Sequence, residues 1–171
     1  MPYADVISSF VGFQSHKVVQ WKRHHKSWIE LWLEYQGGTY RCGNCGERIN
    51  RFHGTVWVRL RDLSISPHRV YVWELRRRGD CPRCGVRRTE SKIARPYARC
   101  TRRFERDLFR LTEEMTVKGV SKFAGVDWEM IKDAEIRYIL GLLRKRNFDD
   151  ITELGIDEVS EKKGHRYLTL V

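Results

Sequence analysis

Cys42-Gly-Asn-Cys45-Gly and Cys81-Pro-Arg-Cys84-Gly are two copies of one short unit, separated by 35 residues. Two residues between cysteines let both sulfurs reach one tetrahedral ion at about 2.3 Å, and the glycine that follows permits the tight turn that aims backbone N–H groups at the thiolates. Four thiolates leave no open coordination position, so the expectation is one structural Zn2+ on Cys42, Cys45, Cys81 and Cys84. The competing readings are four unrelated thiols or a redox pair, the latter expected singly beside a strand–helix unit. Cys100 stands alone and reads as a small buried hydrophobe. His24, His25, His53 and His68 read as surface or loop residues, or as minor phosphate contacts.

The first residues, Met-Pro-Tyr-Ala-Asp-Val-Ile-Ser-Ser-Phe, lack the basic start and apolar run of a signal peptide, and no stretch approaches the roughly 18 apolar residues of a membrane span. A cytoplasmic chain with no membrane partner is expected, and in that reducing compartment paired cysteines point to metal.

Around the cysteines the pattern is that of strands. Lys17-Val-Val-Gln-Trp and Ser27-Trp-Ile-Glu-Leu-Trp-Leu-Glu-Tyr predict a hairpin joined through Lys22-Arg-His-His-Lys and ended by Gly37-Gly38. Thr55-Val-Trp-Val-Arg-Leu and Arg69-Val-Tyr-Val-Trp-Glu-Leu predict a second, turning at Ser66-Pro67-His68, which would carry the chain out and back between the cysteine pairs as in a zinc ribbon. Most of the six tryptophans fall in these strands and are expected in the core. Beyond residue 100 the period becomes helical: Phe104, Leu108 and Leu111 follow Thr101 as N-cap, a shorter helix runs from Thr116 to Ala124, and a long one from Asp127 to about Arg146. From Gly155 strands return, with Ile156-Asp-Glu-Val and Tyr167-Leu-Thr-Leu-Val about a turn at Lys163-Gly164.

Val120-Ser-Lys-Phe-Ala-Gly-Val-Asp-Trp-Glu-Met-Ile131 has the distribution of a helix-turn-helix. Ser121 is small where the helices cross, Gly125 supplies a left-handed turn, Val126 and Ile131 face the core and Asp127 caps the second helix. Trp128, Glu129, Lys132 and Asp133 would face a groove, although two of them are acids. The formal charge is +11 overall, and it divides as +11 over residues 1–100, +3 over 101–147 and −3 over 148–171. That balance favours a polyanionic partner. Arg76, Arg77, Arg78, Arg87 and Arg88 beside the second cysteine pair, with Arg102, Arg103, Arg144, Lys145 and Arg146, are the expected phosphate contacts, joined by Trp128 and Lys132.

These features resemble one family, the ISL-three insertion-sequence transposases, from about residue 10 onward. The resemblance rests on the cysteine quartet, Arg61-Asp-Leu, Val70-Tyr-Val-Trp, Val126-Asp-Trp-Glu-Met-Ile-Lys-Asp, Gly155-Ile-Asp-Glu-Val and Lys163-Gly-His-Arg-Tyr-Leu-Thr. It implies that the last two blocks open a ribonuclease-H-like catalytic domain, with Asp157 the first of three metal-binding acids and Glu158 a neighbour. The remaining two acids lie beyond Val171, so the resemblance implies a truncated or fragmentary transposase that binds DNA without cutting it, Mg2+ being needed only by a complete catalytic domain.

The expected fold class is α+β: an N-terminal hairpin (1–38), a zinc-ribbon module (39–99), a three-helix helix-turn-helix domain (100–147) and the incomplete start of a ribonuclease-H-like domain (148–171). The expected partner is double-stranded DNA at transposon terminal inverted repeats, bound by a nucleoid-associated bacterial protein that can form homo-oligomers. A free-standing zinc-finger and helix-turn-helix transcriptional regulator is the alternative, and a zinc-stapled interaction module without nucleic acid a third.

Overall fold

Two antiparallel hairpins, β1 (His16–His24) with β2 (Trp28–Tyr35) and β3 (Phe52–Ile65) with β4 (His68–Cys81), merge into one sheet because β2 runs parallel to β4. The computed structural model describes residues 11–25, 27–147 and 149, and the backbone of 157–162 and 166–170. Strand order is β1-β2-β4-β3, and short β5 (Gly85–Arg88) pairs with the far end of β4, on the edge that β2 occupies earlier. The parallel register sets Ile29 beside Val70, Leu31 beside Val72 and Leu33 beside Glu74. Period-two alternation then turns Leu31, Leu33, Leu60, Val70 and Val72 to one face, where they are buried with Val18 and Ile93. Each such side chain contributes about 1.5–3 kcal/mol on burial. The β1–β2 hairpin, within the expected 1–38 unit, is therefore part of the same sheet and core as β3 and β4: its apolar face finds its cover by sharing theirs.

Three helices follow: α1 (Arg102–Glu114), α2 (Val117–Ala124) and α3 (Trp128–Leu143). Thr101 caps α1, its hydroxyl accepting from the Phe104 N–H at 3.3 Å, and Thr116 caps α2 by accepting from Gly119 at 3.2 Å. Phe104, Leu108, Val120, Ile131 and Ala134 close a second core with Cys100. Burial pushes the Cys100 thiol up to about 12, which suits a packing residue.

Buried polar groups tie the helices to the sheet. Asp62, fully enclosed on β3, accepts from the Thr101 hydroxyl at 2.6 Å and from Arg103 Nε at 2.8 Å. Arg61 donates to the Val70 carbonyl at 3.0 Å, to Ser64 Oγ at 2.8 Å and to the Ala124 carbonyl at 3.4 Å. Glu105, buried on α1, accepts from Arg95 at 2.6 Å and from Arg137 at 2.7 Å, joining the loop before α1 to α3. An unpaired carboxylate at either enclosed position would be costly, so these pairings specify how the layers meet.

Residues 1–138 and 139–171 are separate compact units. The second contains an antiparallel hairpin of β6 (Asp157–Lys162) and β7 (Arg166–Leu170), with Asp157 opposite Leu170. The expected Lys163-Gly164 turn lies outside the described residues, as do the side chains of both strands.

Candidate metal centre and nucleic-acid interface

The long β3–β4 hairpin leaves from the first cysteine pair and returns to the second, so 35 intervening residues cost no separation in space. A tetrahedral ion bound at about 2.3 Å holds sulfurs about 3.8 Å apart. All four ligand atoms of Cys42, Cys45, Cys81 and Cys84 lie within 4.8 Å of one another, and the Cys45 and Cys81 sulfurs are 3.4 Å apart. Gly46 and Gly85 take φ of +77° and +69°, the left-handed turn each knuckle requires. Asn44 directs its backbone N–H to Cys42 Sγ and its side-chain amide to Cys84 Sγ, both at 3.4 Å, an arrangement suited to thiolate acceptors. The Glu47 N–H favours a Cys45 thiolate, but burial and the neighbouring Cys81, Cys84 and Cys42 outweigh it and push that thiol up to about 12. Four crowded sulfurs resist ionising together unless a cation sits between them. The quartet fits a metal ion, zinc included. Neither Cys100 nor any described histidine joins it: His24 pairs with Glu30 at 2.8 Å, and His53 with Asp80 at 2.8 Å.

Between α2 and α3 the turn has the expected chemistry. Gly125 closes α2 at φ +64°, and Ser121 Oγ donates to the Val126 carbonyl at 2.7 Å. Asp127 caps α3, accepting from the Met130 N–H at 2.8 Å, and its carboxyl is held below the usual range first by that N–H and then by Arg99. Arg69 of β4 packs on the turn: a Cβ built at Gly125 would lie 2.2 Å from its guanidinium. The acids of the exposed α3 face are partly matched, because Glu129 lies 3.9 Å from Arg99 and Asp133 3.4 Å from Arg137. Trp128 projects from the first turn, 62% exposed, and Lys132 bonds Glu135 at 2.7 Å.

The predicted phosphate contacts divide into two groups. Arg76 alternates to the core side of β4, only 8% exposed, with Nε on buried Glu74 at 2.7 Å. Arg103 is bound to Asp62 and to the Val11 carbonyl and lies 4.0 Å over the Phe13 ring. Both are held by the fold, and the expectation that they face DNA as free surface cations is corrected. Arg77 is exposed but lies over Tyr40 and Phe52, at 4.7 and 5.1 Å. Arg78, Arg87, Arg88 and Arg102 are exposed with no carboxylate partner among the described residues, and they gather around one cavity beside the first knuckle. Arg144, Lys145 and Arg146 are exposed beyond α3, in the second unit.

The tryptophans depart from expectation: none is in a buried core cluster. Once Leu31, Leu33, Val70 and Val72 face inward, alternation sends Trp28, Trp32 and Trp73 to the opposite face, where Trp32 and Trp73 stack at 6.3 Å. Sequence reasoning also passed over Arg69, Arg99, Arg95 and Tyr97. The Arg95-Pro-Tyr-Ala-Arg99 turn was the available signal for three of these.

Residues 90–139 match the helix-turn-helix domain of transposase family ISL3, from the loop before α1 into α3. The chain belongs with the ISL3-type transposases. It is 30% identical over 170 residues to the transposase of insertion sequence IS1001 of Bordetella parapertussis, a match covering 97% of this chain and 42% of that relative. It is also 28% identical over 134 residues to the transposase of IS1557 of Mycobacterium tuberculosis, covering 77% and 30%. It thus spans less than half the length of either relative. No solved structure matches it at a significant level. The ISL3-type match begins ten residues before the expected domain start, and the Ala94–Thr101 and Arg61–Cys100 bridges explain why: that loop pairs with the start of α1 and with β3.

Proposed function

We propose that the chain is the end-recognition part of an insertion-sequence transposase, reading terminal inverted repeats in double-stranded DNA. The observation that carries this reading is the α2–Gly125–α3 geometry: a left-handed turn, an Asp127 cap and an exposed first turn of α3 bearing Trp128, within the segment that matches the family. A helix so presented enters the major groove by its N-terminal residues, while flanking cations hold the backbone. Lys132 would lie along the groove, and Arg144, Lys145 and Arg146 would bind phosphate. The four cysteines hold one structural zinc ion that keeps the knuckles together, and the protein works in the bacterial cytoplasm at the nucleoid; homo-oligomers would match paired ends.

In this reading Asp157, on β6, is the first carboxylate of a two-metal centre whose other ligands are supplied elsewhere. When bound, Mg2+ would activate the attacking oxygen and stabilise the leaving one. One aspartate does not hold two ions, so the 171-residue chain binds DNA without cleaving it. Fluorescence anisotropy on a duplex carrying the element's own terminal repeats, against a scrambled duplex, tests the assignment. Specific sites are typically bound at least about 10^3-fold more tightly. Equal affinity would overturn end recognition, and metal-dependent nicking lost in Asp157→Asn would overturn the non-cleaving claim.

A further inference from the structure

Between the first knuckle, β4–β5 and the loop before α1 lies a cavity of about 600 Å³. Arg78, Arg88 and Arg102 line it with no carboxylate partner among the described residues, and the one carboxylate on its wall, Glu90, is occupied by Lys92. Arg76 also lines it. Arg76 is enclosed with its Nε held by Glu74, so the donors offered to an anionic oxygen are the exposed guanidiniums of Arg78, Arg88 and Arg102. At the rim stands Tyr97, 80% exposed and at φ +60°, where an aromatic residue is an outlier. Such conformations gather at sites that bind ligands, and a ring held out of any core has its π-face free.

We propose that this cavity takes one unpaired nucleotide of the bound DNA, its phosphate on the arginines and its base against the Tyr97 ring. The proposal rests on the DNA-binding reading above and adds a strand specificity to it. The cavity lies within the range of pockets that enclose a small ligand. A duplex keeps its bases stacked inward and presents only its outer backbone to a concave wall, whereas an unstacked nucleotide offers phosphate and base together. Arginine with an aromatic ring is the pairing that binds single strands, and it tolerates any base.

The test is anisotropy with three probes: a blunt terminal-repeat duplex, the same duplex with a short 5′-phosphorylated single-stranded extension, and an isolated oligonucleotide of about eight nucleotides. The extended duplex should bind roughly tenfold more tightly than the blunt one, the share one stacked base supplies. Tyr97→Gly keeps the positive φ and removes the ring, so it should abolish that increment, and Tyr97→Phe should restore it. Arg78→Ala with Arg102→Ala should weaken the extended probe more than the blunt one. Equal affinity for blunt and extended duplexes, or variants that weaken both by the same factor, would overturn the proposal while leaving duplex recognition standing. Failure of the blunt duplex to bind would instead remove the reading it rests on, and the isolated oligonucleotide, lost or retained in Tyr97→Gly, would still decide the cavity.

Discussion

The guanidinium of Arg99 forks across the carboxylate of Asp127, Nη1 to Oδ2 at 2.8 Å and Nη2 to Oδ1 at 2.9 Å, so the loop before α1 grips the residue that caps α3. The exposed end of α3 is thereby set against the family-matched core from two directions, by the Gly125 turn and by this fork.

Asp127→Ala should lower stability by about 1 kcal/mol, the usual worth of an N-cap, with only a small share from the ion pair, because Asp127 is nearly half exposed and screened. The Asp127 carboxyl titrates below its ordinary value when folded. Its stabilisation is therefore present above the unfolded value and lost as pH falls through the folded one. Urea unfolding followed by circular dichroism should show the gap between wild type and Asp127→Ala closing progressively below about pH 4; a gap that stays constant to pH 2 would contradict this.

Gly125→Ala faces two penalties that separate experimentally. The left-handed φ costs an alanine about 1–2 kcal/mol, and the new Cβ would meet the Arg69 guanidinium at 2.2 Å. Because the clash is with the end of a flexible side chain, Arg69→Ala should recover only the second part. A thermal-unfolding double-mutant cycle should then give a clear coupling between the two sites, whereas strict additivity would mean that Arg69 is not on the turn.

Local chemistry was the legible part of this molecule. The Thr101 and Asp127 caps, the Gly125 turn, both hairpins and the convergence of four cysteines each depend on residues within a few positions or on a repeated spacing, and each was found where the pattern placed it. Illegible were the features set by which surfaces meet. The parallel β2–β4 pairing leaves no mark on either strand, yet it decides that Leu31 and Leu33 face inward and Trp28 and Trp32 outward. For the same reason Arg76 and Arg103 look like surface cations in one dimension. Only the fold brings Asp62, 41 residues away in sequence, to Arg103, and only the fold buries the local Glu74–Arg76 pair.

Metal removal should act locally. The knuckle cluster contains little beyond Cys42, Ile49, Cys81 and their partly buried neighbours, too small a core to hold itself together, whereas the sheet and helix clusters are built from other residues. Elemental analysis should find one zinc per chain. Chelation, or Cys84→Ser, should open residues 42–51 and 80–90 to protease while leaving the helical ellipticity near its starting value. Preparations with no metal, or loss of ellipticity in step with loss of zinc, would refute this separation.

Arg103 and the Arg144-Lys145-Arg146 run are alike in sequence and unlike in setting, which predicts opposite phenotypes. Arg103→Ala strands the enclosed Asp62 carboxylate with the Thr101 hydroxyl as its remaining partner. Removing one member of such a pair costs about 3–5 kcal/mol, here at the low end because the guanidinium is a third exposed. For a chain of this size that lowers the melting temperature by roughly 6–12 °C, and any loss of DNA affinity should follow the unfolded fraction. The triple change Arg144→Ala, Lys145→Ala and Arg146→Ala removes exposed cations with no carboxylate partner among the described residues, so the melting temperature should hold. If these side chains bind phosphate, fewer counterions are released, and the slope of log affinity against log salt should become shallower by up to about 3. Affinity should fall alike for specific and scrambled duplexes, since phosphate carries no sequence information. An unchanged slope in the triple variant would place the run outside the interface, and a stable Arg103→Ala with a shallower slope would return Arg103 to it.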